Sequence, residues 1–251
     1  MSDVEQIVRQ IVNTASPGND LKLIESIERV IDGESDKLVE RVLRDKYTQE
    51  DAKIVLVNGK ESIVSPWNRD GIKFIGDGIK FGYDFIRDEA IDIEEYSIVN
   101  ESLQDELNKY IEEFYTNGTG IVVGGGNDET TVVIVGEKLN DANYYNGRWV
   151  GVYRVNGSKL EFDIHVKIHY YEDGNVVLNS RYTQISEVGS NIIKSIEEIE
   201  LDTEVKILNK VTQLNEEKFK NLRRLMPVSR SRIQWGRSIG NYKLGKEAAN
   251  V

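Results

Sequence analysis

The residues best suited to chemistry lie near the carboxyl end of this 251-residue chain. Nine basic residues and no acidic residue fall between Lys218 and Lys246. The rest of the chain has 23 Lys and Arg residues against 43 Asp and Glu residues, a net charge of −20. A basic segment on an acidic body indicates noncovalent binding to an anionic partner. The alternative is that the segment folds back on its own acidic body.

Apolar side chains are interleaved with these charges. Trp235, Ile239 and Tyr242 follow one another at i, i+4 and i+7, which places them on one face of a helix. Gly236 and Gly240 weaken such a helix by roughly 1 kcal/mol each relative to Ala. A marginal amphipathic helix often orders in a partner's groove, although the same pattern allows packing on the chain's own sheet. The candidate binding residues are Lys220, Arg223, Arg224, Arg230, Arg232, Trp235, Ile239 and Tyr242.

No residue pattern indicates catalysis. The chain has no Cys and only two His, which excludes thiolate chemistry and His-rich metal sites. His165 and His169 are four residues apart on a predicted strand, about 13 Å, which is too far to share one ion. The glycines at 118–120 and 124–126 lack the Gly-Lys-Ser/Thr of a phosphate loop, so we interpret them as turn residues. We therefore expect no enzyme activity, no cofactor and no metal site.

The amino-terminal half predicts a helical bundle followed by a small β region. Helical stripes over residues 3–13, 21–31 and 38–43 predict three short helices. Asn58-Gly59 between two apolar runs is a strong hairpin signal. The string Asp-Gly-Ile-Lys-Phe occurs twice, seven residues apart, and predicts two short strands. A further helical stripe covers residues 101–115.

The carboxyl-terminal half predicts a sheet and then a long helix. Five strands joined by short turns predict a meandering antiparallel sheet: residues 120–123, 130–135, 149–155, 160–171 and 176–181. The fourth strand alternates apolar residues from Leu160 to Tyr170 with polar ones. From about Ser186 the period becomes helical for up to ~30 residues. Such a helix needs a broad surface, and the sheet's apolar face supplies one, so we predict an α+β layered fold.

We expect five segments in one compact unit: residues 1–48 helical, 49–100 β-rich, 101–185 helix and central sheet, 186–217 long helix, and 218–251 basic extension. No apolar run approaches the ~18 residues of a membrane span, and residues 1–5 lack the basic and apolar regions of a signal peptide. These features predict an intracellular, cytoplasmic protein.

Several strings resemble the alpha subunit of the F-actin capping protein, the CapZ alpha family. They are Asn-Gly-Arg-Trp at residues 146–149, His-Tyr-Tyr-Glu-Asp-Gly-Asn-Val at 169–176, and Phe-Lys-Asn-Leu-Arg-Arg-Leu-Met-Pro-Val-Ser-Arg-Ser-Arg-Ile-Gln-Trp at 219–235. Ser16-Pro17-Gly18 is the best local match in the first 135 residues. Tyr144-Tyr145 departs from the Phe-Trp that is usual in the family.

The resemblance implies a fold with a partner. It implies an N-terminal three-helix stalk and a five-stranded sheet that a similar β subunit continues with five more strands. Long helices from both chains would lie across this sheet, and each chain would end in an amphipathic extension. Because an unpaired strand edge is a liability, we expect the long fourth strand to be the one that needs a partner.

The resemblance also implies a function. The family binds the barbed ends of actin filaments, independently of calcium and nucleotide, and blocks subunit addition and loss. Its key basic contacts fall on Lys220, Arg224 and Arg230 here, and its mobile segment falls on residues 235–251. It implies a place in the actin cytoskeleton, especially at the cortex, and regulation by phosphatidylinositol 4,5-bisphosphate and capping-protein-interacting proteins. The alternatives are a nucleic-acid-binding module, which the acidic body disfavours, and an anionic-membrane binder.

Overall fold

A computed structural model describes residues 3–31, 35–124, 129–171, 176–189 and 191–213. Contacts group the chain into two compact units, Met1–Ile196 and Glu197–Val251, which are taken separately. The first unit contains the helical bundle, the small β region and the central sheet.

Three helices begin the chain, close to where the stripes predict them: α1 (Asp3–Thr14), α2 (Asp20–Glu28) and α3 (Ser35–Gln49). Each presents an apolar face to a shared core, as its helical period requires. Val8 and Val12 of α1 are fully buried in that core, together with Val39 and Leu43 of α3.

The small β region contains a hairpin and a separate four-stranded sheet: β1 (Lys53–Val57), β2 (Lys60–Val64), β3 (Arg69–Asp70), β4 (Lys73–Gly76), β5 (Ile79–Asp84) and β6 (Glu89–Glu95). Asn58 and Gly59 both have positive φ angles, 51° and 79°, as the two-residue turn of a hairpin requires. The repeated Asp-Gly pairs fall at turns, with Gly71 and Gly78 also at positive φ. The alternation that produces β6 was not recognised in the sequence.

Helix α4 (Glu101–Phe114) then leads to the central sheet. Asn100 caps α4, because its side-chain oxygen accepts a hydrogen bond from the Leu103 amide at 3.1 Å. Leu107 and Ile111 of α4 are buried, and a Cβ added at Gly120 would collide with both of them. The absence of a side chain at Gly120 therefore lets α4 lie close to the sheet.

The central sheet has five antiparallel strands, as predicted: β7 (Gly118–Gly124), β8 (Glu129–Asn140), β9 (Tyr145–Asn156), β10 (Lys159–Tyr170) and β11 (Val176–Glu187). A short 3₁₀ turn, Asp141–Asn143, separates β8 from β9. The spatial order β11-β10-β9-β8-β7 is a simple meander. The apolar residues of β10 from Leu160 to Val166 are buried on one face, which confirms the alternation in the sequence.

The structure corrects two expectations about this sheet. The long fourth strand, β10, is not an edge, because β9 and β11 each pair with all 12 of its residues. The edge is β11, which extends to Glu187, six residues beyond the predicted end. The helical period also misplaced the start of α5 (Ile192–Gln213). Residues 186 and 187 still pair with β10, and α5 begins only after Asn191, whose side chain accepts from the Lys194 amide at 3.0 Å.

Helix α5 crosses the boundary between the two units. In the first unit, Ile193 and Ile196 are buried. In the second unit, residues 197–213 are helical and expose three apolar side chains at i, i+4 and i+7, namely Leu201, Val205 and Leu208. The mixed α+β class, with a five-stranded antiparallel sheet and a C-terminal helix, agrees with the sequence analysis.

Candidate functional site

The two edges of the central sheet are treated differently. At the β7 edge, the buried amide of Gln104 in α4 takes the place of a neighbouring strand: it donates to the Gly120 carbonyl at 3.1 Å and accepts from the Val122 amide at 2.8 Å. The Gly120 carbonyl and the Val122 amide are therefore satisfied within the chain, and a further strand would have to displace Gln104.

The β11 edge has no such cover in the described part of the chain. β11 pairs with β10 over its whole length, and no described strand pairs with its other side. Two of its apolar side chains, Val177 and Ile185, are 46% and 65% exposed. A 12-residue edge strand that is long, regular and partly apolar is suited to pair with a strand of another chain.

One ion pair stiffens this edge. Arg181 of β11 donates to both carboxylate oxygens of Asp163 on β10, with distances of 2.8 Å and 2.5 Å. This bidentate hydrogen bonding to the guanidinium lowers the pKa of Asp163, against the opposing effect of its partial burial. Asp163 therefore stays ionised, and the pair holds β11 in register with β10.

Beside the β11 edge, the sheet face opens into a polar groove. The groove has a volume of about 640 Å³ and lies between the ends of α1 and α3 and the polar residues of β9, β10 and β11. His165, Lys167, Asn179 and Arg181 line its sheet side. They belong to directly paired positions on β10 and β11, so their side chains share one face.

A buried ionic cluster lies where the helical bundle meets the sheet. Arg148 of β9 donates to Glu137 of β8 at 2.6 Å and lies 3.5 Å from Asp51, which follows α3. Tyr47 of α3 contacts the same guanidinium, which ties helix, loop and strands together. Arg148 is the arginine of the Asn-Gly-Arg-Trp string, and its burial gives that string a structural role.

Asp20 of α2 extends this cluster. The Tyr47 hydroxyl donates its one hydrogen to this carboxylate, at 2.8 Å and 3.0 Å from the two oxygens, and Lys53 donates at 3.2 Å. Burial acts to raise its pKa, but the charges of Lys53, Lys46 and Arg148 outweigh burial, and the pKa falls to about 2. The cluster therefore keeps its negative charge at all ordinary pH values.

Lys167 is the cation that links the groove to the bundle. Its ammonium donates to the carbonyls of Asn13 and Ala15, both at 2.8 Å, at the carboxyl end of α1. Burial and the nearby positive charge of Lys46 lower its pKa from 10.5 to about 8. Among the described residues, no carboxylate forms an ion pair with it, so its charge is balanced only by distant acids.

Comparisons with known proteins identify the family of this chain. The family model of the F-actin capping protein alpha subunit matches residues 8–247. This chain belongs to that family. The F-actin-capping protein subunit alpha of Kluyveromyces lactis is 33% identical over 261 residues, covering 99% of both chains. That of Candida glabrata is 32% identical over 260 residues, covering 99% of this chain and 98% of the relative.

A solved structure shares the fold. The homodimeric actin capping protein alpha subunit from Plasmodium berghei matches with a TM-score of 0.69, covering 90% of this chain and 98% of that chain, at 14% identity. The match is consistent with the bundle-and-sheet arrangement of the F-actin capping protein alpha family. The family is named for capping and not for a catalytic activity. The comparisons give no support to the nucleic-acid or membrane alternative.

The predicted binding residues lie outside the described residues: Lys220, Arg223, Arg224, Arg230, Arg232, Trp235, Ile239 and Tyr242. Their role in binding therefore stays a prediction. The histidine pair is described. His165 lies 2.7 Å from the Asn179 side-chain oxygen through its Nε2 atom, and no cluster of three metal-type ligands occurs in the described ranges. No helix in those ranges is long and apolar enough to cross a bilayer.

Sequence reasoning missed the β11 edge and the groove. A signal for the longer strand was present, because Tyr182, Thr183 and Ile185 just past the predicted end are residue types that favour strands. The ionic cluster carried no such signal, because Asp20, Lys46 and Arg148 come from separate segments, and only the fold brings them together.

Proposed function

We propose that this chain is the alpha subunit of a heterodimeric actin capping protein that binds filament barbed ends and blocks subunit exchange. The family match carries this proposal, because it extends over residues 8–247 and so includes both the sheet and the basic extension. The open β11 edge supports the pairing, since a strand from a similar β subunit would satisfy the backbone groups that β11 presents.

The proposed division of labour has two surfaces. The β11 edge joins the β subunit, and the basic extension binds actin. Lys220, Arg224 and Arg230 would meet acidic side chains at the barbed end and raise the association rate, while Trp235, Ile239 and Tyr242 would fill an apolar cleft and slow dissociation. A rim ion pair contributes under ~1 kcal/mol and an aromatic anchor ~2 kcal/mol or more. Tight capping therefore requires several contacts from both subunits.

The direct test is seeded actin elongation from barbed ends, with the full chain co-expressed with a β subunit. We expect growth to stop with or without calcium. Reversing the charges of Lys220, Arg224 and Arg230 should weaken capping and leave the heterodimer intact on size-exclusion chromatography. Wild-type potency of this triple variant would contradict the assigned role of the extension.

A second test addresses the pairing edge. The double variant Val177→Lys, Ile185→Lys places two positive charges along β11, and we expect it to reduce heterodimer formation. Leu56→Lys is the matched control, because the Leu56 side chain is similarly exposed but lies on β1 and not on the β11 edge. Equal pairing of the edge variant and the control would refute pairing through β11.

Two finer features follow from the same surfaces. We propose that the N-terminal helices form the stalk of the heterodimer and that the protein concentrates at cortical actin. Phosphatidylinositol 4,5-bisphosphate would compete with actin for the basic extension, and capping-protein-interacting proteins would act on the same complex. Vesicles containing this lipid should relieve capping by the wild type at lower lipid concentrations than those without it.

A further inference from the structure

The polar groove beside β11 has a charge arrangement that invites an anion. Two of its three carboxylates are already engaged: Asp163 pairs with Arg181, and Asp51 with Arg148, while Glu50 at the end of α3 is exposed. The Lys167 ammonium donates two hydrogen bonds to the carbonyls of Asn13 and Ala15, and its third N–H remains able to donate. The cations Lys46 and Arg148 and the acids Asp51 and Asp20 all act on it from a distance, but no described carboxylate lies within ion-pair distance of the Lys167 ammonium.

The dimensions of the groove favour a polypeptide over a small ion. A volume of about 640 Å³ is that of a site for a sizeable ligand and far exceeds the space that one carboxylate or phosphate fills. Trp67 lines the same groove and offers an apolar surface to the stem of a long side chain.

The groove also adjoins the edge assigned above to subunit pairing. Asn179 and Arg181 line the groove and belong to β11, the strand at which the described sheet ends. Any chain that pairs with β11 arrives about 4.8 Å away from it, within reach of the groove's open side.

We propose that this groove receives an acidic segment of the β subunit, and that an Asp or Glu side chain of that segment pairs with Lys167. The inference rests on the proposed heterodimer and deepens it. The backbone groups of β11 can pair with a strand of any sequence, whereas the groove would bind only a segment whose charge is complementary. Lys167 would then make pairing selective for a chain with a carboxylate at the matching position.

Zero-length carbodiimide cross-linking tests the contact itself, because it joins a lysine only to a carboxylate that touches it. The experiment uses the wild-type heterodimer, followed by peptide mass spectrometry. We expect a covalent link between Lys167 and an Asp or Glu of the β subunit. Links from Lys167 only to carboxylates of its own chain would overturn the proposal.

Substitutions test the energy of the contact. Lys167→Glu should weaken heterodimer affinity by about tenfold or more, because the new carboxylate would face the carboxylate of the β subunit. Lys167→Gln keeps the donors to the two carbonyls and guards against a folding defect, and it should weaken affinity less. Lys60→Glu is the control on an exposed hairpin position. Equal affinities for all variants and the control would overturn the proposal.

Asn179→Asp provides an independent variant. Asn179 lies directly across from Lys167 in the β10–β11 register, so the new carboxylate supplies the missing anion from the same chain. We expect it to weaken the heterodimer while leaving the thermal unfolding of the free chain unchanged or raised. Tighter pairing of this variant would contradict an acidic occupant.

The outcomes separate the inference from the proposed function. A wild-type heterodimer that caps filaments but is insensitive to Lys167 refutes the groove contact alone. Failure of the wild type to pair with any β subunit refutes both. Stabilisation of the free chain by inorganic phosphate that disappears in Lys167→Gln, without a cross-link to the β subunit, would make the groove a small-anion site and overturn the proposal.

Discussion

One face of the central sheet has two halves that differ sharply. Over the middle of β7, β8 and β9 the face is apolar and buried, with Ile121, Val133 and Val150 packed beneath the β1–β2 hairpin and β4. Over β10 and β11 the same face carries Asp163, His165 and Lys167 and opens into the groove. β9 and β10 pair over their full length across this boundary, so the difference lies in the side chains and in what covers them.

The comparison indicates which parts of the sheet the chain completes by itself. Where the β1–β2 hairpin and β4 cover the face, the residues are Val and Ile, and Gln104 binds two backbone groups of the nearby edge. Where the groove opens beyond the ends of α1 and α3, the residues are charged or polar, and no described strand pairs with the edge. Polar side chains keep an uncovered face hydrated and discourage nonspecific association while the partner is absent.

The largest expected effect comes from placing a charge in the dry half. Val133→Asp buries an unpaired carboxylate in the apolar cluster, and we expect a loss of about 5 kcal/mol or more, enough to prevent folding. Soluble yield and far-UV circular dichroism measure this. Asn179→Asp introduces the same charge in the polar half and should leave both unchanged. Comparable damage from the two variants would erase the distinction between the halves.

The next largest effect on stability is expected from the removal of a buried charge. Asp20→Asn removes the carboxylate nearest to Lys46 and leaves Lys53 paired only with Asp88, and we expect a loss of about 3 kcal/mol in urea unfolding at pH 7. Because the folded pKa of Asp20 is about 2 and the unfolded value is 3.8, its charge stabilises the fold above pH 4. That contribution, about 2 kcal/mol, should disappear as the pH falls from about 4 to about 2, and the variant should lack this part of the acid transition.

Much of this arrangement is predictable from local sequence. The hairpin at Asn58-Gly59, the alternation in β10 and the helical stripes of α1 and α4 each depend on neighbours within a few residues. The ends of β11 and α5 were less predictable, because the apolar residues from Val188 onward fit a helical period, while pairing with β10 holds residues 186 and 187 in the sheet.

The candidate site was not predictable in the same way. Its open edge depends on which strand lies last in the sheet, and a meander could in principle be closed at either end. The low pKa of Asp20 depends on Lys46, Lys53 and Arg148, which are up to 128 positions away along the chain. Electrostatic neighbours of this kind carry no periodic signal and emerge only when packing is known.

A smaller effect is expected at Lys167. The folded pKa of about 8 lies below the ordinary 10.5, so the charged ammonium destabilises the folded state below pH 8. Stability should rise as the pH increases from about 8 to about 10.5, by roughly 1 kcal/mol after allowance for the exposed part of the side chain. Lys167→Met should remove this rise in thermal unfolding of the free chain. An identical pH profile for the variant would place the ammonium in bulk water.

The smallest effect on the stability of the free chain is expected at Arg181, and it tests whether the β11 edge is covered in the heterodimer. Arg181 is 65% exposed, so the loss of its ion pair with Asp163 in Arg181→Ala should cost under ~1 kcal/mol. The same variant should raise the pKa of Asp163 toward its usual value, measurable by carboxyl NMR, because the guanidinium that lowers it is gone. In the heterodimer a partner strand would exclude water from this edge, and the cost should then exceed that in the free chain. A cost that does not change on pairing would mean that β11 remains at a solvent-exposed edge.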